Sequence, residues 1–125
     1  MSLILYSLGI LVVLFVIWSI LKGKGEGAMV EPLKLQEEIG GETTPVIIDV
    51  RSPGEFNGGH LPKARNVPCD LLIQKGIDLQ KDSDIVVYCH SGFRSANAQR
   101  ILRSMGYSKV RNLKGGIVSW RGPVE

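Results

Sequence analysis

Leu3 through Leu21 is an apolar run of 19 residues without a charged side chain, interrupted only by Ser7, Gly9 and Ser19. Built as a helix at 1.5 Å per residue, it spans about 28 Å, close to the ~30 Å hydrocarbon core of a bilayer. The run therefore predicts a transmembrane anchor helix over residues 1–21. A cleaved secretory signal would carry a basic start, a shorter apolar stretch and a small-x-small cleavage site. Here no basic side chain precedes Leu3, and Gly25-Glu26-Gly27-Ala28 is a poor cleavage site. A buried core helix is the other alternative, but the roughly 100 remaining residues could hardly wrap it on every side. Trp18 lies near the end of the span, where amphipathic aromatics favour the interface. Lys22 and Lys24 follow the run and no basic side chain precedes it. Basic flanks stay inside, so the expected arrangement is a single pass through the cell (inner) membrane with the C-terminal part facing the cytoplasm.

Residues 22–27 read as a glycine-rich linker and residues 28–125 as one soluble domain. Seven flexible residues, 22–28, would span about 15 Å, holding the domain close to the bilayer. The formal charge is +3, and without residues 22–27 there remain 13 basic and 11 acidic side chains, scattered along the chain. That balance gives no basic stripe for nucleic acid, so none is expected as a partner. The two cysteines, Cys69 and Cys89, form no C-x-x-C pair and lack companion histidines, so no metal site is expected. A cytoplasmic setting disfavours a disulfide between them.

Helix and strand signals alternate through the domain. Pro32 to Ile39 reads as a short helix stopped by Gly40-Gly41. Val46 to Val50 is a β-branched run of the kind buried on both faces of a sheet, and Ile85 to Tyr88 is a second. Pro53 to Phe56 reads as one helical turn, Ala64 to Val67 as a short strand and Asp70 to Lys75 as a helical piece. Ser95 to Met105 shows an apolar stripe at Ala98, Ile101, Leu102 and Met105, with Gly106 as its C′ residue. Val110 to Leu113 reads as a last strand and Gly115 to Trp120 as a last short helix. Such alternation predicts an α/β fold with a mostly parallel sheet covered on both faces, where ligands bind beyond the carboxyl ends of the strands.

Cys89 falls at such an end, between the strand Ile85–Tyr88 and the loop His90-Ser91-Gly92-Phe93-Arg94, which opens the helix expected from Ser95. This strand-loop-helix turns several backbone N–H groups toward one centre, and Gly92 permits the curl by accepting positive φ. The helix N-terminus contributes about half a positive charge, and Arg94 a full one. These influences favour thiolate over thiol and predict a Cys89 pKa below that of a free cysteine. Cys89 is thus the expected nucleophile. The blander reading is a buried structural cysteine at a strand end.

The loop Cys89-His90-Ser91-Gly92-Phe93-Arg94-Ser95 resembles the C-x-x-G-x-R-S active-site loop of single-domain rhodaneses. Three further segments are similar to that family's motifs, in the same order: Asp49 to Phe56, Gly59 to Pro68, and Leu113 to Ile117 with Trp120. The departure is Lys63, where the family usually has Gly, which puts the local turn geometry in question. The resemblance implies a rhodanese-like, mostly parallel five-stranded sheet with helices on both faces, here preceded by one transmembrane helix. It also implies a sulfurtransferase: Cys89 takes sulfane sulfur from a thiosulfate-type donor as a persulfide and yields it to a thiol or to cyanide. In that reading Cys89 and Arg94 are catalytic. The backbone of His90, Ser91, Gly92, Phe93 and Ser95 stabilises the persulfide, Arg51 meets the anionic donor, and no cofactor is needed. The alternative is a membrane-tethered persulfide carrier or interaction module, with integral membrane proteins as partners.

Loop length separates the nearest rival. Tyrosine-phosphatase-type loops place Arg six positions after Cys, whereas Arg94 is five after Cys89, making a smaller cradle suited to one sulfur atom. Other polar residues have two readings each. Asp49 is expected to brace the turn that follows it, and Arg51 either orients the loop or meets the donor. His60 is expected to be a hydrogen-bonded structural residue and His90 a pocket wall. Cys69 is read as a packed thiol, with resolution of the Cys89 persulfide as the other option. Gly115, Gly116 and Trp120 are expected to shape the fold.

Overall fold

The computed structural model describes residues 2–24 and 28–125, so residues 25–27 of the expected linker lie outside the described residues. Helix α1 spans Ser2–Lys24, continuing beyond the end of the apolar run. Residues 2–19 within it are long and apolar enough to cross a membrane, and none of that stretch is buried in the protein.

Five strands follow: β1 (Met29–Val30), β2 (Val46–Asp49), β3 (Arg65–Asn66), β4 (Ile85–Tyr88) and β5 (Val110–Leu113). They form one sheet in the order β1-β5-β4-β2-β3. Every pairing is parallel, beyond the mostly parallel sheet expected. β1 escaped the sequence reading because two residues carry no measurable period; it is defined by pairing of Met29 and Val30 with Asn112 and Leu113. The helices are α2 (Pro32–Ile39), α3 (Pro53–Asn57), α4 (Cys69–Lys75) and α5 (Phe93–Ser104), with a 3-10 turn at Ile117–Ser119.

The continuous apolar runs of β2 and β4 are explained by two cores, one on each face. Alternate residues divide between them, as the two-residue strand period requires. Ile48, Val50, Ile85, Val87 and Cys89 pack with Leu72 of α4 and with Ala98 and Leu102 of α5. Ile47, Val86 and Tyr88 pack on the other side with Leu35 of α2, Leu61 and Trp120. Cys89 therefore continues the face that α5 covers.

Helix α5 starts two residues earlier than expected, and its buried face is rotated. Ser95, Ala98, Gln99 and Leu102 are buried, while Ile101 and Met105 are only half covered. The polar pair is accommodated by bonds: Gln99 Nε2 donates to Ala28 O and Val110 O, both at 2.8 Å, joining the helix to β1 and β5. Apolar periodicity alone could not place these two polar residues inside.

The strand order locates the site. After β2 the chain moves outward to β3; after β4 it moves the opposite way to β5. β2 and β4 are neighbours, so the loops leaving their carboxyl ends diverge and open a crevice between them, the usual ligand position in such sheets. Those loops begin at Val50 and Cys89.

Lys63 is the one non-glycine residue with positive φ among the described residues, at 63°. The turn keeps a glycine-like backbone although the residue is lysine. A left-handed L-residue costs roughly 1–2 kcal/mol, offset in part by the greater entropy that glycine loses on folding. Lys63→Gly is accordingly expected to stabilise the domain by about 0.5–1 kcal/mol, read as a higher midpoint in chemical denaturation.

Candidate active site

The sulfur of Cys89 is buried, the residue being 1% exposed, beneath a crest of exposed residues that includes His90, Ser91, Phe93 and Arg94. Three groups converge on Sγ: the Gly92 N–H at 3.1 Å, the Ser95 N–H at 3.4 Å and the Ser95 hydroxyl at 3.2 Å. The N-cap of α5 is Gly92, at φ 109°, and it has no side chain with which to cap. Helix N-termini normally satisfy the third amide with a Ser, Thr or Asp oxygen. Here Cys89 Sγ accepts from that third residue, Ser95, and so serves as the cap. Burial by itself would push the Cys89 thiol up; the Ser95 hydroxyl and the amides of Ser95, Gly92 and Ser91 outweigh it, and the pKa falls below the ordinary value.

The amides face the sulfur because the carbonyls of the same loop are held from behind. Ile117 N–H donates to Cys89 O at 2.9 Å and Val118 N–H to His90 O at 3.2 Å. In a planar trans peptide C=O and N–H point opposite ways, so holding His90 O behind the loop turns the Ser91 N–H forward. This backing requires close approach. Gly116 has φ 66°, and a Cβ there would collide with the His90 carbonyl and lie 2.7 Å from Cys89 O. Gly116 is thus a fold-shaping residue with direct bearing on the cysteine loop.

The expected site residues separate into two groups. Ser91, Gly92 and Ser95 surround the sulfur. His90 is exposed, its carbonyl held as described. Phe93 is 86% exposed and its ring belongs to the surface. The Arg94 guanidinium forms a two-armed ion pair with Glu55 of α3, at 2.7 and 3.0 Å. The leading influences lowering the Cys89 pKa come from Ser95 and the amides rather than from this arginine. Arg51 is buried and committed elsewhere. Its guanidinium grips Asp49 at 2.7–3.0 Å and donates to Gly59 O at 2.7 Å, using Nε and Nη2. Asp49 braces its turn, accepting the Arg51 N–H at 2.9 Å. His60 is structural, with Nδ1 3.0 Å from Phe56 O and its ring stacked on Phe56. Cys69 opens α4, half buried, with Sγ 3.9 Å from Arg94 O, and burial raises its pKa.

Glu55 is the residue whose role the sequence left unread, although it stands in a quoted motif. It closes a capping box with Ser52 and reaches across to Arg94, tying α3 to the start of α5. Its hydrogen bonds to Arg94 hold its carboxyl down at about 2. A cleft of about 540 Å³ lies along this edge, lined by Val50, Ser52, Pro53, Pro68, Cys69, Asp70, Leu71 and Arg94. These residues come from the loops and helix starts that follow β2, β3 and β4, at the crevice the topology anticipates. Among the described residues no group of His, Cys, Asp and Glu is arranged to hold a metal ion.

Comparison with known proteins agrees with the fold. Residues 31–123 match the rhodanese-like domain family. The chain is 34% identical over 111 residues to the uncharacterized protein YqhL of Bacillus subtilis, covering 89% of this chain and 88% of that one. It is 40% identical over 75 residues to a protein of Allochromatium vinosum named sulfurtransferase, covering 60% of this chain and 70% of the relative. Among solved structures, a rhodanese-related protein from Thermoplasma volcanium superposes with a TM-score of 0.71 at 30% identity, covering 79% of this chain and 98% of that one.

Two outcomes follow from the site. Iodoacetamide labelling of Cys89 against pH should show a midpoint below that of a free cysteine, and Ser95→Ala should raise it, since one hydroxyl and no amide is lost. The Arg94–Glu55 pair is half exposed, with side chains 44% and 36% accessible, so screening limits it to about 1 kcal/mol or less. A carboxylate with a depressed pKa stabilises above its unfolded value and loses that contribution as pH falls through the folded one. Glu55→Gln should therefore be slightly less stable than wild type at pH 7, with the gap closing as pH approaches 2 in denaturation experiments.

Proposed function

The chain belongs to the rhodanese-like family, and on that premise we propose that it is a sulfurtransferase working through a persulfide on Cys89. The observation that carries the reading is the convergence of the Gly92 and Ser95 amides and the Ser95 hydroxyl on one buried sulfur. Family membership and relatives named as sulfurtransferases support a role in sulfur transfer.

The chemistry follows from where negative charge resides. The Cys89 thiolate attacks the outer sulfur of a thiosulfate-type donor; the donor's S–S bond breaks and sulfite departs with the electron pair. The product is Cys89–S–S⁻, and its charge remains beside the loop amides, which act as an oxyanion hole does for oxygen. An acceptor thiolate, or cyanide, then attacks the outer sulfur and Cys89 leaves as thiolate. A lowered thiol pKa favours that second step, because the better leaving group is the weaker base. The Arg94 guanidinium, engaged with Glu55, braces the helix start and adds positive potential without entering the loop. That engagement also argues against phosphoryl chemistry, which would need the arginine fork on the substrate.

The exposed apolar surface of residues 2–19 supports a membrane anchor for this domain. With Lys22 and Lys24 retained inside, the domain faces the cytoplasm from a single pass through the inner membrane. The same surface favours a tethered persulfide carrier serving integral membrane partners as the second reading.

The full-length chain, purified in detergent, should form thiocyanate from thiosulfate and cyanide, and Cys89→Ser should abolish it. Mass spectrometry after donor alone should find about +32 Da on Cys89, the mass of one added sulfur. A wild-type chain that accepts sulfur from thiosulfate but passes none to cyanide or to thiols would favour the carrier; one that never acquires sulfur would refute both.

A further inference from the structure

Asn112 lies on β5, 3% exposed, with its amide under the cysteine loop. Its Nδ2–H donates to Gly92 O at 3.2 Å. The same carbonyl accepts the opening helical bond of α5 from Ala96 N at 3.0 Å. Asn112 Oδ1 is buried without a hydrogen-bond partner among the described residues. Turning the amide over would set Oδ1 against Gly92 O, two acceptors face to face, so the donor must face the loop. Asparagine is disfavoured within strands, and an orphaned buried carbonyl oxygen lowers stability. Packing and stability alone would select an apolar side chain of the same size, such as leucine.

We infer that Asn112 is a positioning residue for sulfur transfer at Cys89: by holding the Gly92–Phe93 peptide it limits rotation at Gly92 and so keeps the N–H of the adjoining Ser91–Gly92 peptide on the sulfur. The inference rests on the function proposed above and deepens it. Gly92 is bonded on both sides: its N–H to Cys89 Sγ at 3.1 Å and its C=O to Asn112. These two bonds set the peptide planes before and after the residue. Gly92 has the widest backbone freedom of any residue type, and it sits at φ 109° as the N-cap of α5. Without the Asn112 donor, only the helical bond restrains its carbonyl, and the loop is free to turn the amide off the sulfur. Ile117 and Val118 hold the preceding carbonyls with backbone amides. At Gly92 that task passes to a side chain.

The test compares wild type with Asn112→Leu and Asn112→Ala in the full-length chain, measuring thermal stability, Cys89 alkylation against pH, and thiosulfate–cyanide kinetics. Asn112→Leu should melt no lower than wild type, because the orphaned oxygen is removed and the volume kept. Its alkylation midpoint should rise by about half a pH unit or more, roughly a threefold loss of thiolate below the midpoint. Its kcat should fall about tenfold with the donor KM changed less than about twofold, as loss of an interaction with the reacting atom would give. Asn112→Ala should show the same kinetic and pH changes with a lower melting temperature, and it decides the matter if Asn112→Leu does not fold. Folded variants with unchanged alkylation midpoint and kcat overturn the inference, whatever happens to stability. Failure of the wild type to transfer sulfur would refute the proposed function instead, while the alkylation midpoint would still decide the role of Asn112.

Discussion

A negative charge can stay in a protein interior only where fixed dipoles replace the water it has lost. Cys89 is such a charge waiting to form, and the rest of the domain can be understood as the means of keeping dipoles on it. The strand delivers the sulfur to the helix face of the sheet. The helix delivers amides that its own geometry leaves unpaired. A glycine supplies the turn that lets both arrive together, and the sulfur then stands where a capping oxygen would. Helix stability and thiolate stability are thereby the same set of hydrogen bonds, and weakening one weakens the other.

The support for that cradle comes from three directions. Behind it, the turn after β5 presses against the loop so closely that Gly116 has no room for a side chain. Beside it, Glu55 and Arg94 join the two helices that flank the crevice between β2 and β4. Beneath it, Asp49, Arg51 and Tyr88 form a buried polar cluster at the ends of the same strands, with the Tyr88 hydroxyl accepting the Leu61 N–H at 3.1 Å. The arginine 5.7 Å over the Tyr88 ring adds a cation–π contact. Such a cluster, committed to itself, is suited to holding loops rather than to meeting substrate.

Much of this was legible in the residues. The two β-branched runs declare the parallel sheet through their period, and the cysteine at a strand end with a glycine three residues later points to the cradle around Cys89 through turn chemistry. What was hidden depends on pairing across long separations. β1 is too short to show a period and exists only through its hydrogen bonds to β5. Arg51 and Arg94 look alike as exposed cations in a sequence, yet one is buried on Asp49 and the other clasped by Glu55, 39 positions away. Gln99 lies off the apolar stripe on a helical wheel, but the backbone acceptors of Ala28 and Val110 draw it inside. Lys63 takes a left-handed backbone of the kind glycine favours, so the turn's shape is set by its surroundings rather than by the residue occupying it.

The placement of Gly116, Ile117 and Val118 has a consequence for the order in which reactivity arises. These residues are synthesised 27 to 29 positions after Cys89, and the carbonyls of Cys89 and His90 gain their amide partners only when they dock. The cradle around the sulfur is complete only once this closing turn has locked against the loop, which makes its assembly one of the last events of folding rather than a local property of the strand and helix.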